Sequence, residues 1–538
     1  MDASRTIDGQ TYFTDLPALV AGGFRAAHGT GAGWIRFEYK LDAFSGVGLA
    51  TGAHSPAGEL TLDLGLTGWH RLHVSHRPAI RVWLEGEEGY CQIPGDPSTV
   101  RDYALPAADY TGRRLHLAPV RSADASQELI VFYLRAEPCS GPAPNHRNLV
   151  ATEDGHGVFC EGVDTPRDFW RYLYPYRDSD FFRILWGVYG GGPLSMRTDL
   201  AVSELAMQTD DQSFYTSDWA FNRSLKRIQA AGADPLAVVR RITREIGLEL
   251  HYYFRVGAFY GPFPGLGGTR RLYAEHPEWR CRDEFGREVK RISYAFTPVQ
   301  DYMLDYFEEL LAYEPEGLCL AFNRGLPLLV CEEPVLEAYR RKHGRAPRLP
   351  EEVDHPEMLD VRAELLADFL SRVQRLVEAH GKVLSCIVPR DFACNRLFGL
   401  DLELLIRRGL LESVMVGAGH GDDPALNADL EPLRELKALG ARVYSGGSSV
   451  DSHGGAWVDG DLQARARHMA AILDAGLDGG YFWDTELIVG FEWEAMRRFG
   501  DRAMLDRIIR GQWTASPDHE TLSVHDLVVD RYSPWNAH

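Results

Sequence analysis

The chain has 538 residues, enough for two or three domains that each bury their own core. Its 57 basic and 77 acidic residues give a net charge of −20 at pH 7. Because clustered Lys and Arg side chains drive phosphate binding, this balance argues against nucleic acid or an anionic membrane as the main partner.

Residues 1–145 carry short alternating apolar and polar segments between turn residues, a period of two that predicts an antiparallel β-sandwich. The turn-rich segment SGPAPNHRN at 140–148 is predicted to be the linker that follows it. The predicted strands lie at 34–39, 60–64, 69–74, 79–84 and 128–134.

From about residue 150 the pattern changes to strand-like runs that alternate with amphipathic helical stretches. Eight such units predict a (β/α)₈ barrel, an α/β fold, over residues 150–500, and residues 501–538 are expected to form a tail that packs on one of the domains. An open doubly wound sheet is the alternative, but no GxGxxG follows the first strand. The predicted strands are 157–160, 182–186, 250–254, 318–322, 383–388, 413–416, 442–445 and 480–483.

Carboxylates follow several of these strands, at the end of a barrel where active sites lie. Glycoside hydrolysis needs two of them, one acid that protonates the leaving oxygen and one nucleophile or base. We predict Glu332 as the general acid, with Glu333 as its rival, and Asp484 as the second carboxylate, with Glu486 and Asp391 as alternatives. The competing interpretation is that these side chains cap helices or form ion pairs.

Aromatic, basic and amide side chains near the same strand ends can stack on sugar rings or bind hydroxyl groups. The residues predicted to bind substrate are Asn323, Arg324, Trp186, Tyr189, Trp279, His276, Arg390, His420 and Trp483.

Histidines 251, 276, 420 and 453 leave open a second function, a barrel that isomerises or epimerises sugars with a divalent metal. No HxH or HExxH motif is present, and the eight cysteines form no CxxC pair. We therefore predict no bound metal and no cofactor. A barrel that binds sugars without hydrolysing them is a further alternative.

Two features of the chain bear on its location. The first residues, MDASRTIDGQTYF, show no basic region followed by an apolar stretch, as a secretory signal would. No run of about 20 apolar residues suits a membrane span. The expectation is a soluble cytoplasmic protein whose partner is a carbohydrate substrate; the sequence leaves open whether it forms a homo-oligomer.

Three segments, AEHPEWRCRDEFGREV (274–289), LAFNRGLPLLVCEEPVLEAYRRKHG (320–344) and FGLDLELLIRRGLLESVMV (398–416), resemble bacterial glycosyl-hydrolase-like proteins of family ten and their relatives. The resemblance covers roughly residues 150–490 and implies a TIM-barrel protein that acts on carbohydrate. Many relatives have Asp where this chain has Ala321, so a role for that Asp is not carried over. The run LTGWHRLHV loosely resembles carbohydrate-associated β-sandwich modules.

Overall fold

The structure is a computed structural model that describes most of the chain. The described residues are 3–25, 33–41, 44–51, 58–77, 79–93, 101–120, 129–155, 158–159, 163–188, 216–257, 271–323, 326–417, 429–446, 462–483, 485 and 491–513.

The N-terminal part folds into two antiparallel sheets. The strands are β1 Ser4–Ile7, β2 Gln10–Phe13, β3 Ile35–Lys40, β4 Ser45–Thr51, β5 Leu60–Leu62, β6 Trp69–Arg77, β7 Ile80–Leu84, β8 Cys91–Ile93, β9 Arg101–Ala104, β10 Ala108–Asp109, β11 Leu115–Pro119 and β12 Leu129–Pro138. The four-stranded sheet has the order β5-β11-β7-β8. In the eight-stranded sheet the path β1-β2-β12-β4-β3 is extended by β6, which pairs with β12, β9 and β10. All the alternating segments predicted above overlap strands, as expected of sheets with one buried face.

Both sheets contribute to one hydrophobic core. Leu72 and Leu134 of the larger sheet and Leu62 and Leu117 of the smaller one are completely buried members of the same cluster. This shared core supports the predicted sandwich, which remains our proposal together with its boundary at residue 145. The same cluster continues into the barrel, where it includes Leu149.

Eight parallel strands close into a barrel, which confirms the central prediction from the strand–helix alternation. A β-hairpin, β16 Arg280–Arg282 with β17 Glu288–Ile292, follows the third barrel strand and lies between the helices Arg271–Glu275 and Thr297–Leu311. The barrel strands, in order, are β13 Leu149–Glu153, β14 Phe181–Gly187, β15 Glu249–Arg255, β18 Gly317–Ala321, β19 Val383–Val388, β20 Ser413–Val416, β21 Arg442–Ser445 and β22 Gly479–Phe482. The α-helices are Trp170–Leu173, Thr216–Ala230, Pro235–Ile246, Arg271–Glu275, Thr297–Leu311, Glu333–His343, Pro356–Ala379, Phe392–Leu397, Leu402–Arg407, Glu431–Ala438, Leu462–Asp474, Phe491–Met496 and Arg502–Ile509.

The predicted position of the first barrel strand was wrong. The strand is β13, directly after the 140–148 segment, and not 157–160; Val158 and Phe159 are helical. Thr152 and Glu153 interrupt the apolar run of β13, which hides it in the sequence. Both are buried, and the Thr152 hydroxyl donates to the carbonyl of Phe482 at 3.3 Å, which satisfies this polar group inside the barrel wall.

Alternate residues of the barrel strands point inward. At the amino end the interior is polar, because Arg183 pairs with Glu249 and Glu412 there. The interior apolar cluster consists of Val150, Phe182, Leu185, Tyr253, Cys319, Ala321, Ile387, Met415, Tyr444, Tyr481 and Trp483.

The N-terminal sheets contact the loop that precedes β14, at the amino end of the barrel. Asp178 in this loop pairs with Arg71 of β6 at 3.0 Å and with Arg498 near the end of the described chain. The start of the predicted tail packs on the barrel, since Arg502 pairs with Asp474 at 3.2 Å. None of the helices described here is long and apolar enough to cross a membrane.

Candidate functional site

A polar cluster lies where the first and third barrel strands end. Asp154 directly follows β13, and its carboxylate accepts a hydrogen bond from the Tyr253 hydroxyl at 2.8 Å. The Arg255 guanidinium pairs with the same carboxylate oxygen. The side chains of Asp154 and Arg255 are 20% and 12% exposed, so solvent reaches both. A carboxylate held by a cation and a hydroxyl is stabilised in its charged form.

Strand β14 lies between β13 and β15 and ends in Gly187. The contact between Asp154 and Tyr253 requires a glycine at this position. A Cβ on Gly187 would lie 2.2 Å from the backbone oxygen of Asp154 and 3.0 Å from Cζ of Tyr253. A larger residue at position 187 would therefore push the backbone of Asp154 away from the Tyr253 ring. Glycine allows this close approach of two backbone segments because it has no Cβ.

The Trp483 ring packs beside Tyr253 of the polar cluster and is called the aromatic wall below. Trp483 directly follows β22, points into the barrel, and its ring centroid lies 5.9 Å from that of Tyr253. Tyr481 lies edge-on to it at 6.5 Å. The structure thus brings one of the predicted sugar-stacking residues beside Tyr253, whose hydroxyl binds Asp154, although the Trp483 side chain is almost fully buried.

Glu332, predicted as the general acid, is directed to a different place. It occupies the N-cap position of helix Glu333–His343, yet its side chain accepts no bond from that helix. Instead the carboxylate accepts hydrogen bonds from the amides of Val330 at 2.9 Å and of Arg282 in the β16–β17 hairpin at 3.0 Å. Burial raises the pKa of Glu332, while these amides and the Cys281 thiol oppose the rise. Through these two amides the Glu332 carboxylate joins the segment before its helix to the β16–β17 hairpin.

Two other carboxylates predicted to be catalytic, Glu333 and Asp391, contact groups of nearby helices. The side chain of Glu333 is 71% exposed and pairs with Arg340 of its own helix. Asp391 caps helix Phe392–Leu397 by accepting a hydrogen bond from the amide of Cys394 at 2.9 Å. Neither contact brings the carboxylate to Asp154, and their catalytic roles remain predictions.

Trp186 points away from the barrel interior, and its role in substrate binding stays a prediction. It is completely buried in the core that surrounds the barrel, and its ring centroid lies 6.2 Å from that of Phe169. The reason is the two-residue period of a strand: Leu185 points inward, so its neighbour must point outward.

The remaining described candidates are dispersed. His276 stacks on Trp279 with ring centroids 3.6 Å apart, at the base of the hairpin. Arg390 is buried and donates to the Ser445 hydroxyl at 3.0 Å and to the backbone oxygen of Asp429 at 2.6 Å. Asn323 follows β18 and is partly buried. The candidates Tyr189, Arg324, His420, Asp484 and Glu486 lie outside the described residues.

His251, a ligand in the metal-dependent alternative, lies inside the barrel on β15 and is completely buried. Its Nδ1 is 2.9 Å from the Ser385 hydroxyl, and burial, with Arg183 and Arg442 nearby, keeps its pKa well below the ordinary value. In the described part of the chain no group of three or more His, Cys, Asp or Glu side chains is arranged to hold a metal ion.

Sequence reasoning missed Asp154 and did not use Tyr253. With the first strand predicted at 157–160, Asp154 lay between the linker and that strand. Tyr253 lay within the predicted third strand and appeared as an ordinary strand residue. The available signal was the run LVATED, in which two acids end a short buried segment directly after a turn-rich linker.

No protein-family model matches this sequence, and no curated protein matches it. The resemblance to family ten therefore stays an expectation. Solved structures with some similarity include an α-L-fucosidase isoenzyme 2 from Paenibacillus thiaminolyticus, at 15% identity and a TM-score of 0.40, covering 68% of this chain and 49% of that one. The glycoside hydrolase domain of PgaB from Bordetella bronchiseptica matches at 12% identity and a TM-score of 0.40, covering 67% and 98%.

A chitobiase from Flavobacterium johnsoniae matches at 11% identity and a TM-score of 0.38, covering 73% of this chain and 54% of that one. This chain thus spans about half the length of the fucosidase and of the chitobiase. At such identities and TM-scores these likenesses identify neither a family nor an activity for this protein.

Proposed function

We propose that this protein is a glycoside hydrolase whose active site lies at the carboxyl end of the barrel. The observation that carries the proposal is the contact of Asp154 with Tyr253 and Arg255 beside the Trp483 ring. Here a charged group, a hydroxyl and an aromatic surface meet at the end of a barrel where chemistry is usually found. These are the side chains that bind and cleave sugars.

In this proposal Asp154 is the nucleophile or the general base. Both roles require an ionised carboxylate, whereas a general acid must hold a proton at neutral pH. Arg255 and the Tyr253 hydroxyl favour the ionised form by charge and by hydrogen bonding. Tyr253 would also fix the rotamer of the carboxylate, because its own ring is held between the barrel strands and Trp483.

For the general acid we propose Asp484, which follows Trp483 in the chain. In the sequence analysis Asp484 was the predicted nucleophile or base. Because Asp154 has that role in this proposal, Asp484 becomes the general acid. Glu332 is not carried into the mechanism, since its oxygens are used by Val330 and Arg282. Glu486 is the alternative to Asp484.

Replacing Asp154 with Asn or Ala should lower kcat at least about 10³-fold on a glycoside that the wild type hydrolyses, since losing a nucleophile or base costs several orders of magnitude. The measurement is steady-state hydrolysis of a panel of aryl and natural glycosides, with and without EDTA. For a retaining enzyme, azide or formate should partly restore D154A with an activated substrate.

The matched control is Asp164→Asn. Asp164 lies after the same strand and pairs with Arg227 at 2.6 Å, away from the cluster, so this variant should keep wild-type kcat. A folded D154N protein with more than about a tenth of wild-type kcat would reject the role of Asp154. A wild type that hydrolyses no glycoside, or that loses activity in EDTA, would favour the sugar isomerase or the non-hydrolytic binding barrel instead.

A further inference from the structure

The seam between the first and last barrel strands continues beyond its backbone ladder through side-chain hydroxyl groups. The last backbone pair of β13 and β22 joins Ala151 to Phe482. Beyond it, the Thr485 hydroxyl donates to the backbone oxygen of Thr152 at 2.7 Å, and the Thr152 hydroxyl donates back across the seam to Phe482. Two crossing hydrogen bonds therefore close the barrel where the ladder stops.

A third hydroxyl completes this arrangement. Tyr176, from the segment before β14, lies with its oxygen 2.5 Å from that of Thr485. Because the Thr485 hydrogen is donated to Thr152, the Tyr176 hydroxyl is the donor in this contact. All three side chains are buried, at 0% exposure for Thr152, 4% for Thr485 and 6% for Tyr176, so water does not compete for these bonds. We call these three residues the hydroxyl clasp.

Tyr176 is itself held rigidly. Its ring packs edge-on against Phe181 and Trp493, with both centroids 5.3 Å away. Two residues later in the chain, Asp178 pairs with Arg71 of the N-terminal sheets. The clasp is thus anchored in the aromatic core at one side of the barrel and close to the docking contact of the N-terminal sheets.

Two residues of the hydroxyl clasp lie close in the chain to residues of the candidate site. Asp154 is two residues beyond Thr152, and Trp483 lies between Phe482 and Thr485. Any slip between the ends of β13 and β22 would move the carboxylate relative to the aromatic wall. We propose that Tyr176 and Thr485 are positioning residues, which hold Asp154 and Trp483 in the relative placement that catalysis needs. This inference rests on the proposed function.

The test compares variants that remove one hydroxyl and keep the shape of the side chain. Thr485→Val and Tyr176→Phe should lower kcat about 10- to 100-fold, since a misplacement of about 1 Å costs up to about that much. KM should change by less than about threefold, because the groups that contact the sugar are unaltered. Thr485→Ser keeps the hydroxyl and should restore kcat to near the wild-type value.

Tyr172→Phe is the matched control. It removes a buried tyrosine hydroxyl four residues earlier, one that donates to the backbone oxygen of Val158 at 3.4 Å instead of to the seam. This variant should keep wild-type kcat. Folded Thr485→Val or Tyr176→Phe proteins with wild-type kcat, or a Thr485→Ser protein as impaired as Thr485→Val, would overturn the inference.

A second measurement separates the clasp from the proposed reaction. Amide hydrogen exchange in peptides that cover 149–155 and 479–485 should be faster in Thr485→Val than in the wild type and unchanged in Tyr172→Phe. This holds even if the wild type hydrolyses no glycoside, the result that would reject the proposed function alone. Unchanged exchange in Thr485→Val would reject the clasp whatever the activity.

Discussion

At the scale of single residues, the contacts of Glu332 predict a role in stability. Replacing it with Ala would leave the buried amides of Val330 and Arg282 without their acceptor. The free energy of unfolding should fall by about 1–3 kcal/mol, the usual cost of an unsatisfied buried polar group. Glu332→Gln keeps one acceptor oxygen and should lose less. Urea unfolding followed by circular dichroism measures both changes.

The adjacent Glu333 provides the control. Because its side chain is 71% exposed, Glu333→Gln should change the free energy of unfolding by no more than about 0.5 kcal/mol. The same variants also test the sequence-based assignment of the general acid. A stable Glu332→Gln protein whose kcat is about 100-fold lower on a natural glycoside would restore Glu332 as the acid and contradict the structural interpretation.

At the scale of structural elements, the polar amino end of the barrel predicts how stability depends on pH. His251 on β15 faces Ser385, Arg183 and Arg442, and its pKa in the folded protein lies well below the ordinary value of 6.5. Below pH 6.5 the unfolded chain therefore binds a proton that the folded protein does not. The stability contributed by neutral His251 is complete above this pH and is lost progressively as the pH falls further.

The expected result is a steeper loss of stability with acid in the wild type than in His251→Gln, by up to about 1.4 kcal/mol per pH unit for one proton. Gln has no titratable group but can still bond to the Ser385 hydroxyl. Urea unfolding at several pH values between 7.5 and 5 gives both slopes. Identical slopes would show that His251 is protonated in the folded barrel as readily as in the unfolded chain.

At the scale of the whole molecule, Asp178 joins the N-terminal sheets to the barrel. It pairs with Arg71 and Arg498, lies 3.9 Å from the buried Arg497, and accepts from the amides of Ala107 and Ala143 at 3.2 and 2.8 Å. Burial alone would raise the pKa of Asp178, but the three arginines and the Ala143 amide hold it below the ordinary value. The carboxylate is thus shared by three arginines, of which Arg497 is buried.

Asp178→Asn should lower the free energy of unfolding by about 3–5 kcal/mol, because it removes a buried carboxylate from the buried Arg497 and from the Arg71 and Arg498 ion pairs. Asn tolerates the left-handed backbone at this position, φ +53°, so the change isolates the charge. Asp368→Asn, at an exposed pair with Arg408, should cost no more than about 1 kcal/mol. Equal effects of the two variants in urea unfolding would mean that Asp178 does not join the two parts of the molecule.

Local patterns in the chain predicted all the barrel strands but one and only some of the described strands that precede them. Period two in residues 1–145 and alternating strands and helices from about residue 150 predict the antiparallel strands and the eight-stranded barrel, because hydrophobic periodicity reflects which face of each element is buried. The exception is β13, whose buried Thr152 and Glu153 look like loop residues until the hydrogen bonds across the barrel seam are known.

The sequence by itself therefore determined the eight-stranded barrel and the polar side chains that follow its strands. Only the tertiary structure decided which of these side chains meet. A shift of one residue in a strand reverses the direction of every side chain, so Trp186 points out of the barrel while Trp483 points in. Glu332 turns to the hairpin because amides from residues far apart in the sequence converge on it there. Asp154 joins Tyr253 and Arg255 because β14 pairs with both β13 and β15 and its last residue, Gly187, lets their ends approach each other.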